Sequence, residues 1–335
     1  MGAVLSRAYN FPSSVISLIL CFIMPSNLKI ALIIGLVALS IIVIILPFFI
    51  LFKFSAQVIY WVTVICVGGS AVFSSIISST AFSIAAKFDS TYTSLVSSGN
   101  GCCGVIAAGL RILTKALFSS KEQLIISSAV YFFLTAIVLI ITLIYLLHVS
   151  KIQTLSRNMI SSSGETVKCS RSLLSTIKLI WVEWLSVFFD FLVTLTLFPG
   201  YMTLVKEVPA IGDWSSVIIT AIFCIFDWVG RYLPVRYMWP SIKFAWIPVL
   251  VRVLFFPIFM LTIENVVNLG DPYWTFLWTI PFAVTNGYFG TVSMLYGSNN
   301  EKVPSEDRGL AGFLMSFSIT AGILAAMFLT FAMPQ

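Results

Sequence analysis

Apolar runs long enough to cross a bilayer recur along this chain, separated by mostly short polar connections, and they decide what it can fold into. A run of ~20 residues spans a ~30 Å hydrocarbon core as a helix. In lipid the backbone has to satisfy its own hydrogen bonds, which leaves helices or closed barrels. Strand-like alternation of apolar and polar residues is lacking, so a barrel is excluded. The runs define about ten candidate spans, at 11–25, 28–52, 57–85, 95–117, 123–148, 174–199, 212–234, 244–264, 272–296 and 309–333. The expected fold is an all-α polytopic membrane protein.

Composition agrees. Of 335 residues, 59% are hydrophobic and 10% charged, against about 25% charged in soluble domains. The net charge of +6 resides mostly in Lys and Arg between the apolar runs, where it sets topology, so a nucleic-acid partner is not implied. The first 27 residues, with Arg7 ahead of a short apolar stretch from Phe11 to Met24, weakly resemble a signal peptide. No small-residue cleavage site follows, and the segment reads as a short membrane span.

The longest polar connection, 149–173, is Ser-rich and carries Lys151, Arg157, Lys168 and Arg171 against Glu165. It divides a first helical half (1–148) from a second (174–335) and, as the largest basic cluster, is expected on the cytoplasmic side. Counting onward, Arg236 and Lys243 also fall inside, and Glu264 and Asp271 outside. Counting backward, Lys29 and Lys87 fall inside, whereas Lys53, Lys115 and Lys121 fall outside, against the trend. Trp181, Trp184, Trp214, Trp239, Trp246 and Trp274 lie near span ends, where interfacial anchors belong.

Reactive chemistry is sparse. Cys21, Cys66, Cys102, Cys103, Cys169 and Cys224 lie in or beside apolar runs without metal-ligand spacing and read as small packing residues. The single histidine, His148, excludes a two-His zinc site. Neither a Gly-rich phosphate loop, a G-x-S-x-G elbow nor a plausible Ser–His pair occurs, so no enzyme, cofactor or metal is expected. Gly68, Gly69, Ser74, Ser75, Ser78 and Ser79, with Gly101, Gly104 and Gly109, are small residues within spans. They serve close helix packing or supply hydroxyls to a transport pathway, and composition does not separate the two.

Ionisable groups inside apolar spans are the most informative residues. Each costs ~2.5–3.5 kcal/mol at a helix centre on insertion scales, so it should face protein or a wet cavity. Asp227 and Arg231 are one turn apart and share a helical face. They form a structural ion pair, or they present an acceptor and a fork of donors to a polar ligand. Asp190 is mid-span, with Glu183 nearer the cytoplasmic end. Asp190 binds substrate, carries a proton during transport, or pairs with a basic residue such as Arg111 or Arg252. Arg111 and Lys115, near a span end, suit boundary snorkelling.

These motifs resemble the equilibrative nucleoside transporters, particularly plant and protist forms. Phe226-Asp227-Trp228-Val229-Gly230-Arg231-Tyr232-Leu233-Pro234 resembles their signature helix, whose Asp and Arg help bind the nucleoside. Thr194-Leu195-Thr196-Leu197-Phe198-Pro199-Gly200 is similar to the family's Phe-Pro helix end, and Gly212-Asp213-Trp214 to the plant-type entry of the signature helix. Thr285-Asn286-Gly287-Tyr288 resembles the Asn-Gly-Tyr motif of the penultimate helix. Pro304, Glu306, Ala311 and Gly312 resemble the entry to the last. Tyr92-Thr93 and Gly109-Leu110-Arg111-Ile112-Leu113-Thr114-Lys115-Ala116 match plant-type members. The likeness covers about 57–335.

The resemblance implies a major-facilitator-like fold in which two helical bundles rock about a central site. It implies transport of nucleosides, or nucleobases, at the plasma membrane or an intracellular membrane, by facilitated diffusion or with proton coupling through Asp190. Asp227 and Arg231 would contact ribose hydroxyls, and Ser78, Cys224 and Asn286 would line the cavity. Ser78 stands where some members have a substrate-binding Gln. Members usually have eleven spans and a first helix that lines the site. Ten spans here place the N-terminus outside, as expected if that helix were missing. The alternative is a non-transporting membrane protein that retains the fold.

Overall fold

The computed structural model describes residues 2–52, 54–118, 123–149, 173–202, 208, 211–263 and 272–332. Apart from its end residues, the basic connection at 149–173 lies outside the described residues, as do Lys53, Lys121, Cys169, Glu264 and Asp271. The first half of the chain forms α1 (Gly2–Phe22), α2 (Leu28–Leu51), α3 (Ala56–Ala86), α4 (Ser90–Leu117) and α5 (Leu124–Val149). The second forms α6 (Leu173–Thr196), α7 (Ser215–Tyr232), α8 (Trp246–Val251), α9 (Phe255–Ile263), α10 (Pro272–Ser298) and α11 (Arg308–Ala332). Among the described residues there is no strand.

Eight of these helices, α1 to α7 and α11, are long and apolar enough to cross a membrane. The remaining two expected spans are α10 and the broken segment α8–α9. α10 has 27 residues, but Thr, Asn, Tyr and Ser side chains dilute its apolar content. α8 and α9 are separated by a 3-10 turn at Arg252–Leu254. Pro257 explains the break: it has no N–H to offer Val253, and its ring crowds that carbonyl, so the chain tightens locally. Fully polar residues would end a span; this one bends instead and turns Arg252 inward, where it is only 2% exposed.

The expected first span, 11–25, is displaced: α1 begins at Gly2. Some of its polar residues find partners on α3. The Tyr9 hydroxyl donates to Ser74 Oγ at 3.1 Å and Ser13 pairs with Ser75 at 2.8 Å, so hydropathy alone starts the helix too late. Helix starts are otherwise conventional. Asn27 accepts from the Ile30 N–H ahead of α2, and Asp89 from the Ser90 N–H ahead of α4. Of the tryptophans expected as interfacial anchors, Trp181, Trp239, Trp246 and Trp274 are exposed. Trp184 is not an anchor: its indole N–H donates to the Leu314 carbonyl at 3.0 Å, tying α6 to α11.

Within the first half, α3 packs against α1, α2 and α4, and α5 against α2 and α4. Within the second, α10 packs against α6 and α7, and α6 against α11 and α8. The halves meet where α4 runs along α7 and where α1 and α3 run along α11. One apolar cluster, containing Phe82, Ile180, Phe191, Phe313 and Leu314, joins α3, α6 and α11. A second, around Phe198, Phe223, Phe259 and Phe282, fills the space between α6, α7, α9 and α10. The candidate site lies on the helices that border this aromatic cluster.

Candidate functional site

Asp227 and Arg231 occupy one face of α7, and Arg231 Nε donates to Asp227 Oδ2 at 2.7 Å. Two neighbours hold this face closely. On α4, a Cβ at Gly101 would lie 2.8 Å from Arg231 Cδ and 3.0 Å from Trp228 Cα, so only glycine lets the helices approach this far. Across α6, the Arg231 guanidinium carbon sits 5.8 Å from the Phe191 ring centre. The Arg231 Nη atoms have no hydrogen-bond partner among the described residues, although its Nε does. A planar guanidinium held at Nε keeps the four N–H donors of its two Nη nitrogens for something else.

The other Asp227 oxygen is also engaged. Asn286 Nδ2, on α10, donates to Asp227 Oδ1 at 2.5 Å. Thr194 on α6 donates to Asn286 Oδ1 at 2.6 Å, and Arg252 Nη2 donates to Thr194 Oγ1 at 2.8 Å. Arg252 Nη1 donates to the Asp190 carboxylate and, at 3.1 Å, to the Asp190 carbonyl. Its Nε is 3.3 Å from Thr285 Oγ1. A continuous polar chain thus runs from Arg231 through Asp227, Asn286 and Thr194 to Arg252 and Asp190, across α7, α10, α6 and the bend after α8. Asp190 is 0% exposed and Arg252 2%. Of the two basic candidates for Asp190, the partner is Arg252; Arg111 is on α4 and has no ion pair with it.

The sequence-predicted residues therefore divide. Asp227, Arg231 and Asn286 come together, and Asp190 joins them through Thr194 and Arg252. Asn286 is buried and braces Asp227. Cys224 is on the same side of α7, with its Sγ 3.4 Å from where a Gly104 Cβ would be. Ser78 is elsewhere. It lines a cavity of about 150 Å³ between α1, α3 and α11, with Ser13, Ser17, Ser74 and Ser316 among its neighbours. Arg252 was one of two candidates for Asp190; the part played by Thr194 was not anticipated, and spacing in the sequence carries no signal for it.

At the expected outer end, Lys115 of α4 bonds Asp213 Oδ2 at 2.9 Å and lies 4.9 Å from the Trp214 ring centre. Lys115 thus links the two halves and does not simply snorkel. At the expected inner end, a cavity of about 630 Å³ is lined by Glu183, Lys243, Trp246, Tyr296, Asn299 and Lys302, among others.

The family model described as "Nucleoside transporter" matches residues 62–173 and 159–334. The chain belongs to the nucleoside transporter family. It is similar to equilibrative nucleoside transporter 4 of Danio rerio, 33% identical over 158 residues, which are 46% of this chain and 30% of the relative. Equilibrative nucleoside transporter 1 of Mus musculus is 27% identical over 327 residues, covering 83% of this chain and 70% of the relative. Equilibrative nucleotide transporter 8 of Arabidopsis thaliana is 26% identical over 248 residues, covering 72% and 61%. Against the Danio rerio and Rattus norvegicus relatives the chain spans 30% and 38% of their length. The family is one of transporters, not enzymes, and the chain is an integral multi-pass membrane protein.

Proposed function

We propose that this chain carries nucleosides across a bilayer, the plasma membrane in the first instance, by facilitated diffusion. Residues 1–148 and 174–335 act as two bundles that rock about a site at the α4–α7 seam. The observation that carries the reading is the Arg231 side chain: anchored to Asp227 through Nε, flanked by Phe191 and Gly101, and with its Nη donors unused by protein. Paired donors in a plane suit vicinal hydroxyls, and Asp227 has lone pairs left for a ribose O–H. Cys224 would border the bound nucleoside one turn away. Ser78 would reach it only if the hydroxyl-lined cavity of α1, α3 and α11 joins the site during transport. Asp190 acts as the counter-ion of Arg252, and proton-coupled transport is the rival that a gradient-dissipating ionophore would reveal.

The test is uptake of radiolabelled uridine or adenosine, with surface protein measured in parallel. Losing a hydrogen bond to a charged group costs ~1.5–3 kcal/mol, a roughly tenfold to hundredfold loss in affinity. Arg231→Lys keeps charge but loses the fork, and Asp227→Asn removes the counter-charge; both should impair uptake at near-normal surface abundance. A 2′,3′-dideoxynucleoside should bind wild type poorly and lose little more in either variant. Wild-type protein at the membrane with no uptake would instead favour a non-transporting member of the family.

A further inference from the structure

The hydrogen-bond chain behind Asp227 has a direction, and its direction is set at the far end. Arg252 can only donate. Its Nη2 donates into Thr194 Oγ1, so that hydroxyl accepts there and has a single hydrogen to give. Two acceptors are in reach: the Asp190 carbonyl at 2.8 Å and Asn286 Oδ1 at 2.6 Å. The Asp190 carbonyl is already served by Arg252 Nη1, whereas Asn286 Oδ1 has no other donor. The hydrogen therefore goes to Asn286. With its oxygen so occupied, the amide must turn its NH2 group to Asp227 Oδ1. The opposite amide orientation would set two acceptors face to face at 2.5 Å.

We propose that Arg252, Thr194 and Asn286 are positioning residues for ligand recognition: together they hold the Asp227 carboxylate as an acceptor in the orientation that engages Arg231 Nε. The inference rests on the reading of Asp227 and Arg231 as the ligand-binding pair. Burial makes it consequential. Arg252, Thr194, Asn286 and Asp190 are all buried among α6, α10 and the bend after α8, and each link in such a chain polarises the next. Asp190 neutralises Arg252, and packing confines that carboxylate: a Cβ at Gly290 would lie 2.6 Å from Asp190 Oδ2.

Thr194→Val removes the central hydroxyl with little change of shape, and Thr194→Ser retains it. In cells expressing each variant at measured surface abundance, Thr194→Val should raise the KM for uridine about three- to tenfold with an unchanged maximal rate. Thr194→Ser should keep the wild-type KM. Inhibition by 2′,3′-dideoxyuridine should be the same in all three proteins, and Thr194→Val should add nothing in an Asp227→Ala background. An unchanged uridine KM in Thr194→Val, alongside a raised KM in Arg231→Lys, would overturn the positioning role and leave the binding pair intact. Equal weakening of uridine and dideoxyuridine by Thr194→Val would also overturn it, by marking a general packing defect. If Arg231→Lys itself leaves uridine KM unchanged, the binding pair fails, and this inference with it.

Discussion

Two regions of the molecule bury polar groups, but of different kinds. Between α1, α3 and α11 the buried groups are neutral hydroxyls: Ser17 to Ser79 at 3.3 Å, Ser79 to Ser316 at 3.0 Å, and Ser14 to the Thr320 carbonyl at 2.7 Å. Within the second half they are two ion pairs connected by Asn286 and Thr194. A serine in a helix can turn to the carbonyl one turn back, as Ser40 does to Leu36 and Ser186 to Val182, so losing a partner in another helix is cheap. A buried guanidinium has no such fallback. The serine row between α1, α3 and α11 is thus built from contacts that can be exchanged, and the ion-pair network of the second half from contacts that cannot. The proposed rocking of one bundle against the other needs that division.

The largest effect should come from breaking the irreplaceable set. Arg252→Met removes one partner of a fully buried pair and strands Asp190, a change that costs about 3–5 kcal/mol. Thermal unfolding of purified protein in detergent should show a large loss, with little protein reaching the membrane. The double variant Arg252→Met with Asp190→Leu should recover much of that stability, because no charge is left unpaired. If the single variant melts like wild type, the two regions do not differ in the way described.

Much of this architecture was legible in the sequence, for reasons that can be located. Spans could be read because lipid demands length and apolarity, and Asp227 and Arg231 because charges in lipid are rare. The chain behind them was harder to see. Thr194 is one of many hydroxyls in α6, and only its neighbours on α10 and Arg252 give it a role. Arg252 was a named candidate for Asp190, but nothing in spacing chose it over Arg111; the Pro257 bend decides by turning Arg252 inward. The start of α1 was misplaced because the apolar stretch begins only at Phe11, when the helix already carries the polar residues before it: Asn10 donates to Ser6 one turn back and Tyr9 reaches Ser74 on α3. Trp184 looked like an anchor because sequence does not show that α11 covers it.

A middle-sized effect sharpens the contrast through backbone contacts. α7 and α10 touch backbone to backbone at a reciprocal pair of glycines. A Cβ on Gly287 would overlap the Asp227 carbonyl, and one on Gly230 would overlap the Val284 carbonyl. Carbonyls in helices cannot swing aside, so Gly287→Ala should cost about 1–3 kcal/mol and displace Asp227. In the first half, a Cβ on Gly69 would meet only the tip of Ile42, at 3.1 Å, and a side-chain end can rotate away. Gly69→Ala should therefore be tolerated. Circular dichroism melts of the two variants side by side would decide it: equal losses would mean that both halves are packed with the same rigidity.

The smallest effect should come from the seam itself. Ser79 is fully buried and lies within bonding distance of both Ser17 and Ser316, so by contact inspection alone it looks important. Replacing it with Ala removes one hydroxyl from a row in which Ser13, Ser17, Ser75 and Ser316 remain. Ser17 keeps Ser75 at 3.3 Å, and Ser316 can turn to its own helix. Interhelical hydrogen bonds in bilayers average ~0.6 kcal/mol by double-mutant cycles, because the alternative state also finds partners. Ser79→Ala should accordingly destabilise by no more than that. The coupling between Ser79→Ala and Ser316→Ala, read from melting of the singles and the double, should be of the same small size, and nucleoside uptake should persist. A coupling comparable to that between Arg252 and Asp190 would mean that the seam is locked as firmly as the interior. The halves would then have no cheap surface to move on, and rocking about α1, α3 and α11 would have to be abandoned.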